Sequence, residues 1–188
     1  MSKIGKIVFG AQEKWRKFKE EKMSTPTEAP AGSLYKFEAK ANDGSMHSLA
    51  DYKGKVLLIV NVASRCGFTP QYAGMEATYR KFRSRGFELL AFPCNEFGGQ
   101  EPGTDAEIKT FCQRFEASFP LFSKVAVKKG PVQHPLYKFL TEDSGKPGAI
   151  PWNFAKFLVS RDGRVVERFG PDTEPDADAL TAKIEKLL

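Results

Sequence analysis

The run Val56-Leu-Leu-Ile-Val-Asn-Val-Ala63 constrains the fold more than any other part of this 188-residue chain. It is apolar at all but Asn61 and rich in β-branched residues, so it reads as a strand buried on both faces of a sheet. It is also the longest apolar run and falls far short of the roughly 18 residues that cross a bilayer. After a Cys66-Gly-Phe-Thr-Pro70 turn, Tyr72, Met75, Tyr79 and Phe82 recur at helical spacing. Arg85-Gly86 stops that helix before a second strand, Phe87 to Pro93. Strand, helix and strand in such quick succession predict a βαβ unit, and hence a parallel pair with a right-handed crossover.

The rest of the chain extends that unit. Tyr35 to Ala39 and Ser45 to Leu49 flank Asn42-Asp43-Gly44, a β-hairpin signal. Thr104 with Glu107 three residues later predicts a capping box, and Ile108, Phe111, Cys112 and Phe115 form the apolar stripe of the helix it opens. Phe154 to Val159 and Arg164 to Phe169 are joined across Arg161-Asp162-Gly163 as a second hairpin, antiparallel to the other strands. Asp176 to Leu188 starts with acids, ends with Lys183 and Lys186, and carries Leu180, Ile184 and Leu187 on one face, as a terminal helix would. The order βαβ, helix, ββα predicts an α/β, thioredoxin-like fold: a central mixed β-sheet flanked by helices, with an N-terminal β-hairpin.

The net charge of +6 raises the question of a nucleic-acid or membrane partner, and its distribution along the chain answers most of it. Residues 1–24 hold seven lysines and arginines against three glutamates, so the excess sits mostly in a leader and little is left for the remainder. A nucleic-acid binder would concentrate its cations on the folded domain, so none is expected. In the leader Ile4, Ile7, Val8, Ala11, Trp15 and Phe18 share one helical face, opposite the lysines. This basic amphipathic helix reads as an organelle address, a contact with a membrane surface, a solvated or packed terminal helix, or an extension ahead of a start at Met23. Its apolar run is too short for an export signal, and its glutamates argue against a mitochondrial presequence. Thr25 to Ser33, with two prolines and a glycine, is a linker. The expected division is therefore an N-terminal extension, 1–33, and one domain, 34–188, in a cytoplasmic protein or an organellar or membrane-associated one.

Three cysteines (Cys66, Cys94, Cys112) and two histidines (His47, His134) are too few for a disulfide-stapled scaffold and match no zinc-ligand spacing. Any cysteine chemistry must come from individual thiols. Cys66 stands three residues past the most apolar strand and at the start of a helix, where unpaired N–H groups and the positive dipole end favour a nucleophilic thiolate. A small buried hydrophobe is the competing reading. Phe92 to Gly103 begins at the end of the next strand and so lies on the same sheet edge. Its glycines and prolines make it a shaped loop, with Gln100 placed to point an amide into a cleft. Trp152 and Asn153 stand at the head of a strand, where indole N–H and carboxamide could face that edge or, equally, serve the core and a turn. Glu96 reads as a solvated loop charge.

Asn61 to Thr69, Phe92 to Gly103 and Trp152 to Leu158 resemble, in order, the three signature blocks of the glutathione peroxidase family, with the similarity running from about Leu34 to the C-terminus. The resemblance implies a thioredoxin fold and a peroxidase whose tetrad falls on Cys66, Gln100, Trp152 and Asn153, without metal or organic cofactor. Cys66 would attack a hydroperoxide oxygen and become sulfenic acid. The three N–H donors would stabilise the charge on the leaving oxygen. Where many animal members carry selenocysteine this chain has cysteine, which implies slower attack. The short segment between His134 and Trp152 lacks the insertion through which tetrameric members associate, implying a monomer with a site open to lipid hydroperoxides. The family's usual Gln is Glu96 here.

In similar non-selenium members a cysteine on the helix after the Gln loop resolves the sulfenic acid as a disulfide that thioredoxin-like proteins reduce. Cys112 matches that position, although its place on an apolar stripe also suits a core thiol. A Cys66–Cys112 bond is expected to need local unwinding, because α-carbons more than about 7 Å apart cannot be bridged without backbone movement. Cys94 is expected to be a structural or auxiliary thiol. The activity implied is a thioredoxin-dependent reduction of hydrogen peroxide and organic hydroperoxides, with glutathione as the other candidate reductant. The alternative is a peroxide sensor that relays its disulfide to a partner protein.

Overall fold

The computed structural model describes residues 32–188; the leader and most of the linker lie outside the described residues. Four strands form the main sheet: β3 (Val56–Val62), β4 (Phe87–Pro93), β5 (Lys156–Val159) and β6 (Val165–Phe169), in the order β4-β3-β5-β6. β3 pairs in parallel with β4, from Val56↔Phe87 to Val62↔Pro93, and antiparallel with β5, from Leu57↔Val159 to Val60↔Lys156. β5 and β6 close the sheet as an antiparallel hairpin. Its turn needs glycine: at Gly163, with φ +84°, a Cβ would stand 2.3 Å from Ser33 Oγ.

Every residue of β3 is buried, and its side chains divide between two apolar clusters. Val56, Leu58, Val60 and Val62 face α1 (Gln71–Phe82), α2 (Asp105–Gln113) and α4 (Asp178–Leu187) through Tyr72, Met75, Phe82, Ile108, Leu180 and Ile184. Leu57 and Ile59 face the other way, toward Leu34, Tyr35 and the short α3 (Pro135–Lys138) with Leu136 and Tyr137. Helices on both faces of β3 explain why it is an unbroken apolar run rather than an alternating one. Tyr72 is the hub of the first cluster, with its ring 5.9, 5.3, 6.3 and 5.8 Å from those of Phe111, Phe115, Phe119 and Phe154.

One local expectation is corrected and one element is added. The first strand of the N-terminal hairpin is shorter than Tyr35 to Ala39, because Leu34–Lys36 is a 3₁₀ turn. Ser33 caps it by accepting from Tyr35 N–H, and Leu34 N–H donates to Gly163 C=O, so local and tertiary bonds outcompete extension there. Only β1 (Glu38–Lys40) and β2 (Met46–Ser48) remain, a two-stranded sheet of their own. α3, continued by a wide turn over Phe139–Asp143, is an addition. Its signal was Pro135 in the first helical position behind His134, whose ring accepts from Leu136 N–H.

α2 opens with the expected capping box: Thr104 Oγ1 accepts from Glu107 N–H, and Glu107 Oε2 accepts from Thr104 N–H at 2.7 Å. Its first turn is also tied from outside, as Asn42 Nδ2 donates to Asp105 C=O at 2.8 Å and Lys124 N–H to Asp105 Oδ1 at 3.1 Å. The segment after it is stitched to the sheets by the bridges Ala91↔Leu121 and Ala41↔Phe122.

Candidate active site

Cys66 lies four residues beyond β3 and is 8% exposed. The expected helix start at Cys66 is corrected: α1 begins five residues later, at Gln71 behind Pro70. Between them the chain runs in tight turns, with Thr69 N–H donating to Cys66 C=O at 3.0 Å and Tyr72 N–H to Thr69 C=O at 3.1 Å. Thr69 locks the turn, its Oγ1 accepting from Cys66 N–H and donating to Ala63 C=O, both at 2.9 Å. The donor nearest the sulfur is a single amide, Phe68 N–H, at 3.4 Å from Sγ.

The Gln100 loop is joined directly to this turn, since Arg65 N–H donates to Gln100 C=O at 3.0 Å. Gly98 and Gly99 take φ +66° and +64°, consecutive left-handed residues that bring Gln100 round to the site. Its Oε1 accepts from Asn153 Nδ2 at 2.9 Å. Asn153 is fully buried, whereas Trp152 is 38% exposed with its ring 5.5 Å from Phe97. Asn61, buried on β3, donates through Nδ2 to Trp152 C=O at 3.1 Å. The C-terminal end of β3 thus gathers Cys66, Gln100, Trp152 and Asn153 from three separated stretches of chain.

Glu96 is not a solvated charge. Its Oε2 accepts from Val127 N–H and, at 2.8 Å, from Lys128 N–H, so this carboxylate fastens the loop to the 127–128 segment. Two residues at the site's floor carried too little sequence signal to be singled out. Thr69 is one. Glu101 is the other: fully buried, it takes a hydrogen bond from Ser64 Oγ on Oε1, and its own N–H donates to Asn95 Oδ1 at 2.8 Å. Burial raises its carboxyl above the usual range, against the pull of Ser64, Lys124 and Arg65.

The cysteines separate by face. Cys66 and Cys112 belong to the apolar cluster under α1, α2 and α4, while Cys94 is in the opposite one. All three are free thiols. Burial pushes Cys112 up to about 11, with the Tyr72 hydroxyl pulling the other way. Burial also pushes Cys94 up to about 11, and its Sγ lies 3.7 Å from Glu96 Oε2. Among the described residues no three His, Cys, Asp or Glu side chains are grouped to hold a metal ion, and no helix is long and apolar enough to cross a membrane.

A thiol just past the end of the central strand of a mixed four-stranded sheet is the plan of a thioredoxin-fold thiol protein. A thiol:disulfide interchange protein of the thioredoxin family from Chlorobium tepidum shares that fold, with a TM-score of 0.59 at 21% identity over 86% of this chain and 97% of its own. The glutathione peroxidase family profile matches residues 34–141. The hydroperoxy fatty acid reductase of Synechocystis is 56% identical over 167 residues, 83% of this chain and 96% of that protein. The crystal structure of T. cruzi GPX1 superposes with a TM-score of 0.64 at 40% identity, covering 82% of this chain and 95% of that one. The chain belongs to the glutathione peroxidase family and is a peroxidase of the thiol-dependent kind.

Proposed function

We propose that residues 34–188 reduce hydrogen peroxide and organic hydroperoxides, lipid hydroperoxides included, with Cys66 as nucleophile. The observation that carries this reading is the continuous path from the Cys66 turn through Arg65 N–H to Gln100 and on to Asn153. The Cys66 thiolate attacks the terminal oxygen of ROOH, the O–O bond breaks, and RO⁻ takes a proton to leave as ROH, with Cys66 left as sulfenic acid. Donors on Gln100, Asn153 and the Trp152 indole meet the charge that develops on the leaving oxygen. Trp152 at the rim keeps the entrance open and apolar, which suits a lipid hydroperoxide.

Cys112 then attacks Cys66. Its thiol proton leaves with the sulfenic hydroxyl as water, and a Cys66–Cys112 disulfide remains for a thioredoxin-like dithiol to reduce; glutathione is the competing reductant. Sharing one apolar cluster with Cys66 supports Cys112 in this role, and the opposite face argues against Cys94. The free thiols suit a reducing compartment such as the cytoplasm, and we take the protein to act there as a monomer.

The test is NADPH-coupled peroxide consumption with thioredoxin and its reductase, and in parallel with glutathione and its reductase. The expected outcome is turnover with thioredoxin, none for Cys66→Ser, and a single peroxide per chain for Cys112→Ser. Thioredoxin-driven turnover that survives in Cys112→Ser would remove Cys112 from the cycle.

A further inference from the structure

Lys156 is a lysine with no exposed surface, on β5 three residues beyond Asn153. Burying an ammonium is costly unless its partners are well placed. Burial pushes Lys156 down to about 8, opposed by the carboxylates of Asp172 and Glu174. A methionine would fill the same space without that penalty, so what Lys156 holds is informative.

Its Nζ donates to Phe154 C=O at 2.7 Å and to Gly170 C=O at 3.4 Å. Phe154 is fully buried and has φ +64°, a strained conformation for a bulky residue that persists only where surrounding bonds enforce it. Three bonds do so. Phe154 N–H donates to Asn61 C=O at 2.6 Å, Asn61 Nδ2 holds Trp152 C=O, and Lys156 holds Phe154 C=O. The left-handed turn at Phe154 is what lets a buried Asn153 reach Gln100 while Trp152, next door, stays at the rim.

The second bond of Lys156 reaches the segment ahead of α4. That segment also braces the other half of the site, since Gln71 Nε2, at the first position of α1, donates to Pro171 C=O at 2.6 Å. The Trp152–Asn153 turn and the helix that follows Cys66 are therefore anchored on adjacent carbonyls, Gly170 and Pro171.

We propose that Lys156 is a positioning residue for the peroxidase reaction: by holding the Phe154 and Gly170 carbonyls together it sets Trp152 and Asn153 against Gln100 and Cys66. This rests on the reading that Asn153 and Trp152 act on the reacting oxygen.

The test is a double-mutant cycle on the full chain, carrying Trp15→Phe so that Trp152 is the remaining tryptophan. The rate of Cys66 oxidation by hydrogen peroxide is followed in a single turnover for Lys156→Met, Asn153→Ala and the pair. Lys156→Met is expected to slow oxidation about 10-fold, since misplacement of a catalytic group by a distant change costs up to about 100-fold. The pair is expected to be no slower than Asn153→Ala, and Trp152 emission is expected to shift in Lys156→Met. Lys156→Arg, which keeps charge and donors, should recover part of the rate, and it carries the same readouts if Lys156→Met does not fold. Losses that multiply fully, or an unmoved rate and emission, would overturn the positioning role alone. Asn153→Ala at the parental rate would overturn the tetrad reading and this inference with it.

Discussion

Asn153 and Gln100, on loops 53 residues apart, meet through one hydrogen bond of 2.9 Å, Nδ2 to Oε1. Each carboxamide orients the other, and the bond leaves Gln100 Nε2 as a free donor. Gln100→Ala and Asn153→Ala are each expected to slow Cys66 oxidation by about 100-fold, the scale of losing one oxyanion donor. The double variant should be little slower than either, because losing one partner already frees the other to turn. Stopped-flow oxidation of the three variants decides it, and independent, multiplying losses would count against the pair acting together.

Glu76 on α1 ties that helix to the segment after α2. Its oxygens accept from Ser118 N–H at 2.8 Å, Ser118 Oγ at 2.7 Å and Arg80 Nε at 2.5 Å. Burial alone would raise its carboxyl, but the bonds from Ser118 and Arg80 outweigh it and hold the group below the usual range. A depressed folded value means the stabilisation is fully present above about 4.3, the ordinary glutamate value, and is lost as pH falls through the folded value. Glu76→Gln is expected to cost about 1–3 kcal/mol at neutral pH. Urea midpoints should show the difference from the parent closing on acidification, and a constant gap would contradict the assignment.

Cys94 and Cys112 set the alkaline side. Both are held up to about 11, so the folded chain keeps two protons that the unfolded chain releases near pH 8.5. Their contribution is fully present below about 8.5 and is lost as pH rises through about 11. Lys156 acts in the opposite sense, gaining stability between about 8 and the unfolded value near 10.4. Cys94→Ala, which leaves the proposed chemistry intact, should lose less stability than the parent between about pH 8 and pH 10.5 in denaturant titrations. Parallel curves would show that Cys94 does not titrate as buried.

The disulfide step should report whether Cys112 attacks from within α2. Held in the folded helix, its thiolate would form only toward pH 11. Released by local unwinding, it returns to the ordinary cysteine range near 8.5. We expect the rate of Cys66–Cys112 bond formation, measured after one equivalent of peroxide, to level off near that lower value. A rate still rising tenfold per pH unit beyond about 9.5 would place the attack in the intact helix.

The sheet was legible because β3 carries its two-sided burial in its composition, and α2 because Thr104 with Glu107 spells its cap in local bonds. Local signals also put Cys66 and the Gln100 loop on one sheet edge, whereas Trp152 and Asn153 were assigned to it only through the family resemblance. What sequence spacing missed depends on distant partners. Glu96 finds amides 31 and 32 residues away, Tyr35 turns because Ser33 and Gly163 are beside it, and Lys156 looks like any strand lysine until Phe154 takes a positive φ. Pro70 displaced the helix start from Cys66 and could have been weighed from sequence, since a proline offers no N–H to a turn that needs one.

α2 is pinned at both ends, by Asn42 and Lys124 at Asp105 and by the bridges at Leu121 and Phe122 beyond its C-terminus. A helix of nine residues with fixed ends can come apart and re-form as a confined bight of chain. Loop closure is already settled by its moorings, so rewinding is a helix–coil event on the order of a microsecond. If Cys112 on that bight resolves Cys66 as proposed, the helix is expected to rewind on that short timescale once the reductant reopens the disulfide, because its ends never leave their places.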